Sequence, residues 1–439
     1  TPATPHTSHA RRAPLTQRMP YTASFPKAVG TGLIISSSMP IPPESCAAMR
    51  RFIDEYEQTL SRFRADSLVA RIGNAEHGGH FDFPDWAAPL FDLYDALFSA
   101  TSGAIDPCVG EDLIRLGYDP ALSFTVGPDA GERLGALHGR AVWSGDVVRS
   151  SDTTLVTHGP VHLDFGACGK GYLVDLLGRL MPGHHADPPT HPLPARSAKD
   201  ARNPNIPSSE HQSSGHQRNA DGNAPEDFIY SEHSSTQQCT EPEFVIDAGG
   251  DLLVHTAAPI RVALEDPEDE QRAVGVAEIV NGAFCASAPS RRHWEVAVNE
   301  RTHLAIHHLL NAVDGLPVQQ TEATWVHVPV ESDSGQPDSD PADHAITGSV
   351  SRHHMELPAA HDLTTRRKPA AASRIASENG STAVPRPMNQ YPTMLADGLA
   401  TALFVSNPNN LNRVFTFDCA TLNIDRHAAI SDRFPGHLF

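Results

Sequence analysis

A glycine-rich segment contains the first residues whose types suit a defined chemistry. Residues 163–175 read LDFGACGKGYLVD, with Asp164 at the end of a predicted strand and Lys170 among three glycines. Backbone amides at a helix start, together with a lysine, suit phosphate oxygens. The spacing is not that of a P-loop, because Gly171 follows Lys170 where a Ser or Thr would stand. An ordinary strand-to-helix turn has the same composition, so the segment alone leaves both interpretations open.

A carboxylate and a hydroxyl near the C-terminus form the second candidate. Asp397 and Thr401 are four residues apart in an apolar helical run, so both side chains share one helix face. Oxygen donors of this kind suit a hard cation such as Mg²⁺. The alternative is structural: an Asp near a helix N-terminus offsets the dipole, and a Thr bonds its own backbone.

A histidine pair and two loops complete the candidates. His307 and His308 lie in a predicted strand that runs into the turn at Asp314 and Gly315, where an imidazole could serve as a general base. The chain contains 25 His, so most of them must be bystanders. The loops at 61–67 (SRFRADS) and 103–107 (GAIDP) either offer an aromatic ring and backbone groups to a planar ligand or simply connect elements.

The elements that must position these residues are strands and helices without a regular βαβ alternation. Helical periodicity covers 44–60, 85–101, 172–180 and 394–405. Strand-like runs occur at 30–37, 141–148, 153–156, 161–165, 244–248, 252–255, 260–264, 294–298, 304–310, 323–330 and 411–418. This mixture predicts an α+β fold.

Two stretches have the composition of insertions. Residues 181–243 are dominated by Pro, His, Ser, Asn, Gln and Asp, and residues 331–386 by Ser, Asp, Pro, Ala and basic residues. Such sequences bury too little apolar surface to offset an ordering cost of about 1–2 kcal/mol per residue. We therefore predict two disordered insertions within one catalytic domain at 27–439, preceded by a polar N-terminal tail at 1–26.

Composition and charge limit the classes of partner. The 439 residues include 33 Lys and Arg against 53 Asp and Glu, a formal net charge of −20. Nucleic acid and anionic membranes do not attract such a chain, and no run approaches the roughly 18 apolar residues of a membrane span. The six cysteines are scattered without a CxxC pair, which gives no disulfide or zinc-ribbon framework and fits a reducing compartment. We expect a cytoplasmic location, with an extracytoplasmic one as the alternative if a signal has been removed.

Eight segments follow one another in a recognisable order: SRFRADS, GAIDPCVG, LDFGACGKG, VIDAGGD, VALEDPED, CASAPSRRHW, HHLLNAVDGLPV and ADGLATALF. From about residue 29 to about residue 405, apart from the insertions, this order resembles that of the ApbE family of FAD:protein FMN transferases. The resemblance implies that the protein cleaves the pyrophosphate of FAD in the presence of Mg²⁺ and releases AMP. It further implies that FMN is attached through a phosphoester to a Thr or Ser of a target flavoprotein.

The resemblance also implies roles for particular residues. Asp397, Thr401 and the backbone oxygen of Ala167 match the family's metal ligands. Lys170 and His308 match positions implied in catalysis, with His308 as a participant in proton transfer. The residues that match FAD contacts are Val29, Phe63, Ala104, Ile105, Asp106, Asp164, Lys170 and Leu310.

Several residues depart from the family pattern. The family's HIIDPxTG becomes HHLLNAVDG, with Asn311, Ala312 and Asp314 in place of Asp, Pro and Thr. Val29 replaces the common Met, and Ala288 stands where a Gly would let the backbone pass close to a ligand. Two alternatives to transfer therefore stay open. One is a homologue that binds FAD, or hydrolyses it to AMP and FMN, without transfer; the other is a scaffold whose insertions recruit partners.

Overall fold

The computed structural model describes residues 14–183, 242–299, 302–330 and 390–439. The predicted insertion at 331–386 lies outside the described residues, as does all of the insertion at 181–243 except its two ends. In the ranges that are described, no helix has the length and apolar character needed to span a membrane.

Helices and strands are mixed along the chain. The helices of the described residues are α1 (Leu15–Arg18), α2 (Pro43–Leu60), α3 (Leu68–Gly73), α4 (Ala88–Ala100), α5 (Gly110–Arg115), α6 (Ala130–Arg133), α7 (Trp143–Asp146), α8 (Gly166–Gly178), α9 (Pro392–Ala402) and α10 (Pro408–Leu411). The strands are β1 (Tyr21–Phe25), β2 (Leu33–Ser37), β3 (Gly79–Asp82), β4 (Val148–Arg149), β5 (Thr154–Thr157), β6 (Phe244–Asp247), β7 (Asp251–Asp266), β8 (Asp269–Ser287), β9 (His293–Asn299), β10 (Thr302–His307), β11 (Leu310–Asn311), β12 (Leu316–Pro317), β13 (Thr321–Pro329), β14 (Asp418–Asn423), β15 (Ala428–Ile430) and β16 (Gly436–Leu438).

A large antiparallel sheet forms the centre of the fold. Its strand order is β1-β2-β6-β7-β8-β13-β14-β15, and β16 pairs with the first half of β8. Along β6, Phe244 and Ile246 pack into one hydrophobic core and Val245 packs into another. This alternation follows from the two-residue period of a strand, and it means that the central strands are buried on both faces.

Helices share the larger core with one face of this sheet. Buried side chains of α2, α4, α8 and α9 contribute to the same cluster as Ile246 of β6 and Val326 of β13. On the opposite face, a second core contains Trp325 and Leu422. A third, smaller core joins α5 to β9 and β10 through Leu113, Trp294 and other residues.

The crossing of α8 and α9 is unusually close because two glycines lie in it. A Cβ on Gly171 would lie 2.2 Å from the carbonyl oxygen of Thr393, and a Cβ on Gly398 would lie 3.0 Å from Cys168 Sγ. The buried carboxylate of Asp175 on α8 accepts hydrogen bonds from the first amides of α9, including that of Thr393 at 3.1 Å. The sequence of α8 therefore sets both the distance and the starting point of α9.

Most predicted helices are present, but the glycine-rich segment differs from the prediction. Helix α8 begins at Gly166, so GACGKG forms its first turns instead of a loop before Tyr172, and residues 161–165 are not a strand. Glycine is a poor helix former in isolation. Here the close approach of α9 requires small residues, and this tertiary requirement outweighs the local preference.

Other predicted boundaries were wrong where long-range pairing decides them. Strand β8 was not predicted, because its first half is polar and is held by pairing with β7. Helix α7 interrupts the strand predicted at 141–148. The run at 411–418 is the end of α10 and an irregular segment before β14. Within the predicted tail at 1–26, the described residues contain α1 and the edge strand β1.

Candidate functional site

A cavity of about 880 Å³ opens beside the first turns of α8. Its lining contains every residue to which the family resemblance assigned a role. These residues are Val29, Phe63, Ala104, Ile105, Asp106, Asp164, Ala167, Lys170, His308, Leu310, Asp397 and Thr401. They are spread over most of the chain, so the fold brings them together. Their roles as ligands remain predictions.

Lys170 lies between two buried carboxylates at the wall of this cavity. Its Nζ forms an ion pair with Asp251 Oδ2 and lies 3.3 Å from Asp397 Oδ1. The second oxygen of Asp397 accepts a hydrogen bond from the backbone amide of Gly171 at 3.0 Å. The close crossing of α8 and α9 therefore places Asp397 beside Lys170.

Burial dominates the ionisation of this cluster. Burial, together with the charge of Asp251, raises the pKa of Asp397 to about 7. Burial likewise raises the pKa of Asp251, against the opposing effect of Lys170. For Lys170 itself, burial lowers the pKa, but the two carboxylates outweigh this effect and the pKa is raised. With both acids ionised the cluster has one negative charge in excess, which a cation would neutralise.

The predicted metal ligands present only oxygen atoms. Thr401 Oγ1 lies 3.4 Å from the carbonyl oxygen of Ala167, and Asp397 is one helical turn before Thr401 on α9. Mg²⁺ prefers oxygen donors and usually retains several waters. The described part of the chain holds no group of three or more His, Cys, Asp or Glu side chains suited to a metal. A cation here would therefore combine one carboxylate with hydroxyl, carbonyl and water oxygens, a donor set that fits Mg²⁺.

Arg62 and the aromatic rings form another wall of the cavity. Arg62 Nε forms an ion pair with Asp164, and the guanidinium lies over the Phe63 ring at 4.1 Å from its centroid. Phe63 meets Tyr118 edge to face at 5.3 Å and remains 39% exposed. The second oxygen of Asp164 accepts a hydrogen bond from Gly166 N at the start of α8. Cation–π and edge-to-face contacts stabilise such a wall, and Phe63 lines the cavity.

His308 is held in one orientation by a backbone carbonyl. Its Nδ1 lies 3.2 Å from the carbonyl oxygen of Arg292. A carbonyl can only accept, so we infer that Nδ1 carries the proton and that Nε2 is the unprotonated nitrogen. Burial lowers the pKa of His308 to about 4, which keeps the ring neutral at neutral pH. A neutral imidazole with an unprotonated Nε2 can accept a proton.

Val29 has a strained backbone at the edge of the cavity. Its φ is 45° and its ψ is 28°, in the left-handed region that a β-branched residue rarely adopts. Its amide donates a hydrogen bond to Glu57 Oε1 at 2.7 Å. Such strain persists only where neighbouring contacts hold it, and here Glu57 of α2 provides that contact.

The turn at 104–106 uses Asp106 mainly for its own structure. The Asp106 carboxylate accepts from Cys108 N at 2.8 Å and from Trp143 N at 3.3 Å. Its side chain is buried, and this burial raises the pKa of Asp106. The predicted FAD contact at Asp106 would therefore involve the turn that this carboxylate stabilises more than the carboxylate itself.

The departures from the family pattern leave the local backbone well satisfied. The Ala312 amide donates a hydrogen bond to Ala104 O at 3.1 Å, a bond that a proline could not make. Asn311 Oδ1 accepts from Val313 N at 3.0 Å and so stabilises its own turn. Ala288 is extended, with φ −149° and ψ 142°, a conformation that does not require glycine.

Three charged residues of this region had no predicted role. Asp251 opens β7 after two glycines, Arg140 lies fully buried behind the turn at 104–106, and Arg292 lines the cavity. A charged residue inside or beside an apolar run is a signal, because charges are rarely buried without partners. This signal indicates that Asp251 has a charged partner, but it does not identify Lys170 as that partner.

Solved structures share the fold of this chain. The ApbE protein of Thermotoga maritima has a TM-score of 0.57 at 13% identity, covering 94% of this chain and 97% of that one. The flavin transferase ApbE from Vibrio cholerae has a TM-score of 0.56 at 14% identity, covering 94% and 98%. The apo form of the Pseudomonas stutzeri flavinyl transferase ApbE has a TM-score of 0.53 at 15% identity, covering 94% of each chain. At these identities the likeness shows a common fold.

The sequence also matches the model of a protein family. The model of the ApbE family matches residues 29–187 and 236–339, which is more than half of the chain. The chain therefore belongs to the ApbE family, and the predicted α+β class and family resemblance are confirmed. No curated protein matches the sequence.

Proposed function

We propose that the protein is a Mg²⁺-dependent FAD:protein FMN transferase. Its family membership supports a flavin transferase, and the Vibrio cholerae and Pseudomonas stutzeri proteins of the same fold are a flavin transferase and a flavinyl transferase. The observation that carries the proposal is the cluster of Lys170, Asp251 and Asp397 in a cavity that also contains His308. Its volume of about 880 Å³ is ample for a dinucleotide.

Asp397, Thr401 and the carbonyl oxygen of Ala167 are the residues that would hold Mg²⁺. Their oxygens suit the ion, and the excess negative charge of the cluster favours a cation there. Bound in this position, Mg²⁺ would neutralise charge that develops on the diphosphate oxygens.

Arg292 is the cavity arginine most available to a phosphate. Arg62, Arg64 and Arg291 each form an ion pair with a carboxylate. Arg292 Nη1 instead donates to the hydroxyl of Tyr118 at 2.6 Å, and among the residues placed by the structure no carboxylate pairs with it. Because the chain has a net charge of −20, local cations of this kind must offset long-range repulsion of a dinucleotide.

The transfer step needs positioning and one proton acceptor more than covalent chemistry. The hydroxyl oxygen of the acceptor attacks the phosphorus on the FMN side, the phosphorus–oxygen bond to AMP breaks, and AMP leaves with the electron pair. His308 Nε2 takes the hydroxyl proton. Its low pKa makes His308 a weak base, and an anionic diphosphate nearby would raise that pKa. Lys170, whose pKa is raised, stays protonated and acts as a fixed positive charge.

The test is incubation with FAD, Mg²⁺ and a purified flavin-accepting domain. We expect fluorescence on the acceptor band after denaturing electrophoresis and one AMP released for each FMN attached. An acceptor domain whose Thr or Ser acceptor is replaced by Ala serves as the control. Release of AMP and FMN without labelling would assign FAD hydrolysis instead, the alternative suggested by Asn311 and Ala288. If neither AMP nor a labelled acceptor formed, both transfer and hydrolysis would be contradicted.

Other expectations from the sequence remain predictions. These are the cytoplasmic location, the single catalytic domain at 27–439 and the absence of a nucleic-acid partner. Family membership supports FAD and a target flavoprotein as partners.

A further inference from the structure

One fully buried guanidinium connects two separate parts of the cavity wall. Arg140 Nε lies 2.7 Å from Asp112 Oδ2, and its Nη1 lies 3.5 Å from Asp106 Oδ2. Its Nη2 donates to the carbonyl oxygen of Ala312 at 2.6 Å. Arg140 therefore contacts both the turn at 104–106 and the segment that follows His308.

Residues 308–315, here called the His308 loop, are held on two sides. On one side, Ala312 N donates to Ala104 O at 3.1 Å. On the other, Ala136 N donates to Ala312 O at 3.2 Å and Leu137 N donates to Val313 O at 3.0 Å. Segment 135–140 thus encloses the loop against the turn.

Glycine is required where this enclosure is tightest. Gly135 has a φ of 77°, and a Cβ there would lie 2.3 Å from the backbone of Asp314. Asp112 Oδ1 accepts a hydrogen bond from Gly135 N at 2.9 Å. The same carboxylate thus anchors both ends of segment 135–140, through Gly135 and through Arg140.

Stability alone does not account for a charge in this position. An apolar side chain of similar size often replaces a buried ion pair without loss of stability. A guanidinium differs because its donors have fixed, planar directions. The guanidinium of Arg140 therefore holds the carbonyl of Ala312 by a directed hydrogen bond, while its charge pairs with the carboxylates of Asp106 and Asp112.

We propose that Arg140 is a positioning residue for the acceptor side of the reaction. It fixes the His308 loop against the turn at 104–106, so that His308 meets the acceptor hydroxyl at one distance from the bound flavin nucleotide. The proposal rests on the transferase function proposed above and adds to it a residue that does not touch substrate. Several residues predicted to contact FAD, including Phe63, Asp164 and Lys170, lie on cavity walls that Arg140 does not touch. FAD binding should therefore depend on Arg140 less than transfer does.

The test compares Arg140→Lys with Arg149→Lys. The lysine keeps the charge of Arg140 but cannot reach three partners at once. Arg149 bonds Asp92 at 2.6 Å outside the cavity and provides a matched arginine–carboxylate control. Three quantities are measured: the Kd for FAD by fluorescence, kcat for FMN transfer, and hydrogen exchange of the Ala312 and Leu137 amides.

For Arg140→Lys we expect hydrogen exchange at both amides to become faster and kcat to fall, each by about tenfold or more. The Kd for FAD should stay within about threefold of the wild-type value. Arg149→Lys should leave all three unchanged. If Arg140→Lys does not fold, Asp112→Asn, which keeps Arg140 but weakens its anchor, carries the same test.

Two results would overturn the proposal. Unchanged kcat despite faster exchange would show that the loop position does not matter, and equal losses in FAD affinity and kcat would show a merely structural role. If the wild-type protein labels no acceptor, the transferase function fails separately. Hydrogen exchange still tests whether Arg140 holds the His308 loop in that case. Unchanged protection of the Ala312 amide in Arg140→Lys would show that it does not.

Discussion

Replacing Gly171 with Ala tests whether the close crossing of α8 and α9 creates the charged cluster. The added Cβ would lie 2.2 Å from Thr393 O, 2.7 Å from Thr393 C and 2.8 Å from Asp397 Cβ. The nearest atoms belong to the backbone and cannot rotate away. Helix α9 must therefore retreat by about 1 Å to reach the ordinary contact distance of 3.4 Å.

Two opposing effects determine the change in stability. Alanine within a helix is favoured over glycine by about 1 kcal/mol, whereas overpacking of this kind costs about 1–3 kcal/mol. We expect the free energy of unfolding of Gly171→Ala to fall by up to about 2 kcal/mol. The effect on activity should be larger, because a displacement of about 1 Å between Lys170 and Asp397 can reduce a rate by about 10²-fold.

The assay combines urea unfolding with FMN transfer. Gly131→Ala on α6 is the matched control, since a Cβ there meets no atom within 4 Å. We expect Gly131→Ala to be as stable as the wild type or up to about 1 kcal/mol more stable, with unchanged transfer. If Gly171→Ala behaved in the same way as Gly131→Ala, the crossing would not position the cluster.

The predicted metal ligand Asp397, the cavity residue Arg292 and the Asp175 carboxylate at the start of α9 give three further tests. Asp397→Asn should leave the unfolding midpoint almost unchanged but lower Mg²⁺ affinity and transfer by at least about tenfold; retained Mg²⁺ binding in a calorimetric titration would contradict the ligand assignment. Arg292→Met should weaken FAD binding by about 10–100-fold through loss of a charge-assisted hydrogen bond, and an unchanged fluorescence titration would exclude this contact. Burial raises the pKa of Asp175 to about 7, so wild-type stability should fall by at most about 4 kcal/mol as the pH rises from about 4 through 7. Unfolding curves of Asp175→Asn should show a smaller fall, because Asp397 still titrates in this range; the same pH dependence in both proteins would refute the assignment.

Local sequence patterns were sufficient to identify most of the candidate site. Asp397 and Thr401 were predicted on one face of a helix at 394–405, and α9 contains both of them. The turn at 104–106, Lys170 and His308 lie in short motifs whose composition limits their conformation, and all of them line the same cavity. Spacing along one element is information that a single sequence contains directly.

Contacts between distant elements could not be predicted in this way. Lys170 and Asp251 are separated by 81 positions, and Arg140 and Ala312 by 172. No periodicity relates residues so far apart. The start of α8 at Gly166 was missed for the same reason, because the glycines that weaken a helix locally are required by the approach of α9.

The departures in the His308 loop show why a pattern mismatch is weak evidence against activity. A proline at position 312 would restrict the backbone but could not donate a hydrogen bond. Ala312 instead donates to Ala104 O, and its carbonyl accepts from Arg140 and Ala136. Hydrogen bonds to two neighbouring segments therefore restrict the loop here, in place of the rigid ring of a proline. Whether transfer is retained then depends on how firmly those segments hold His308, a property of the folded structure that the motif alone does not contain.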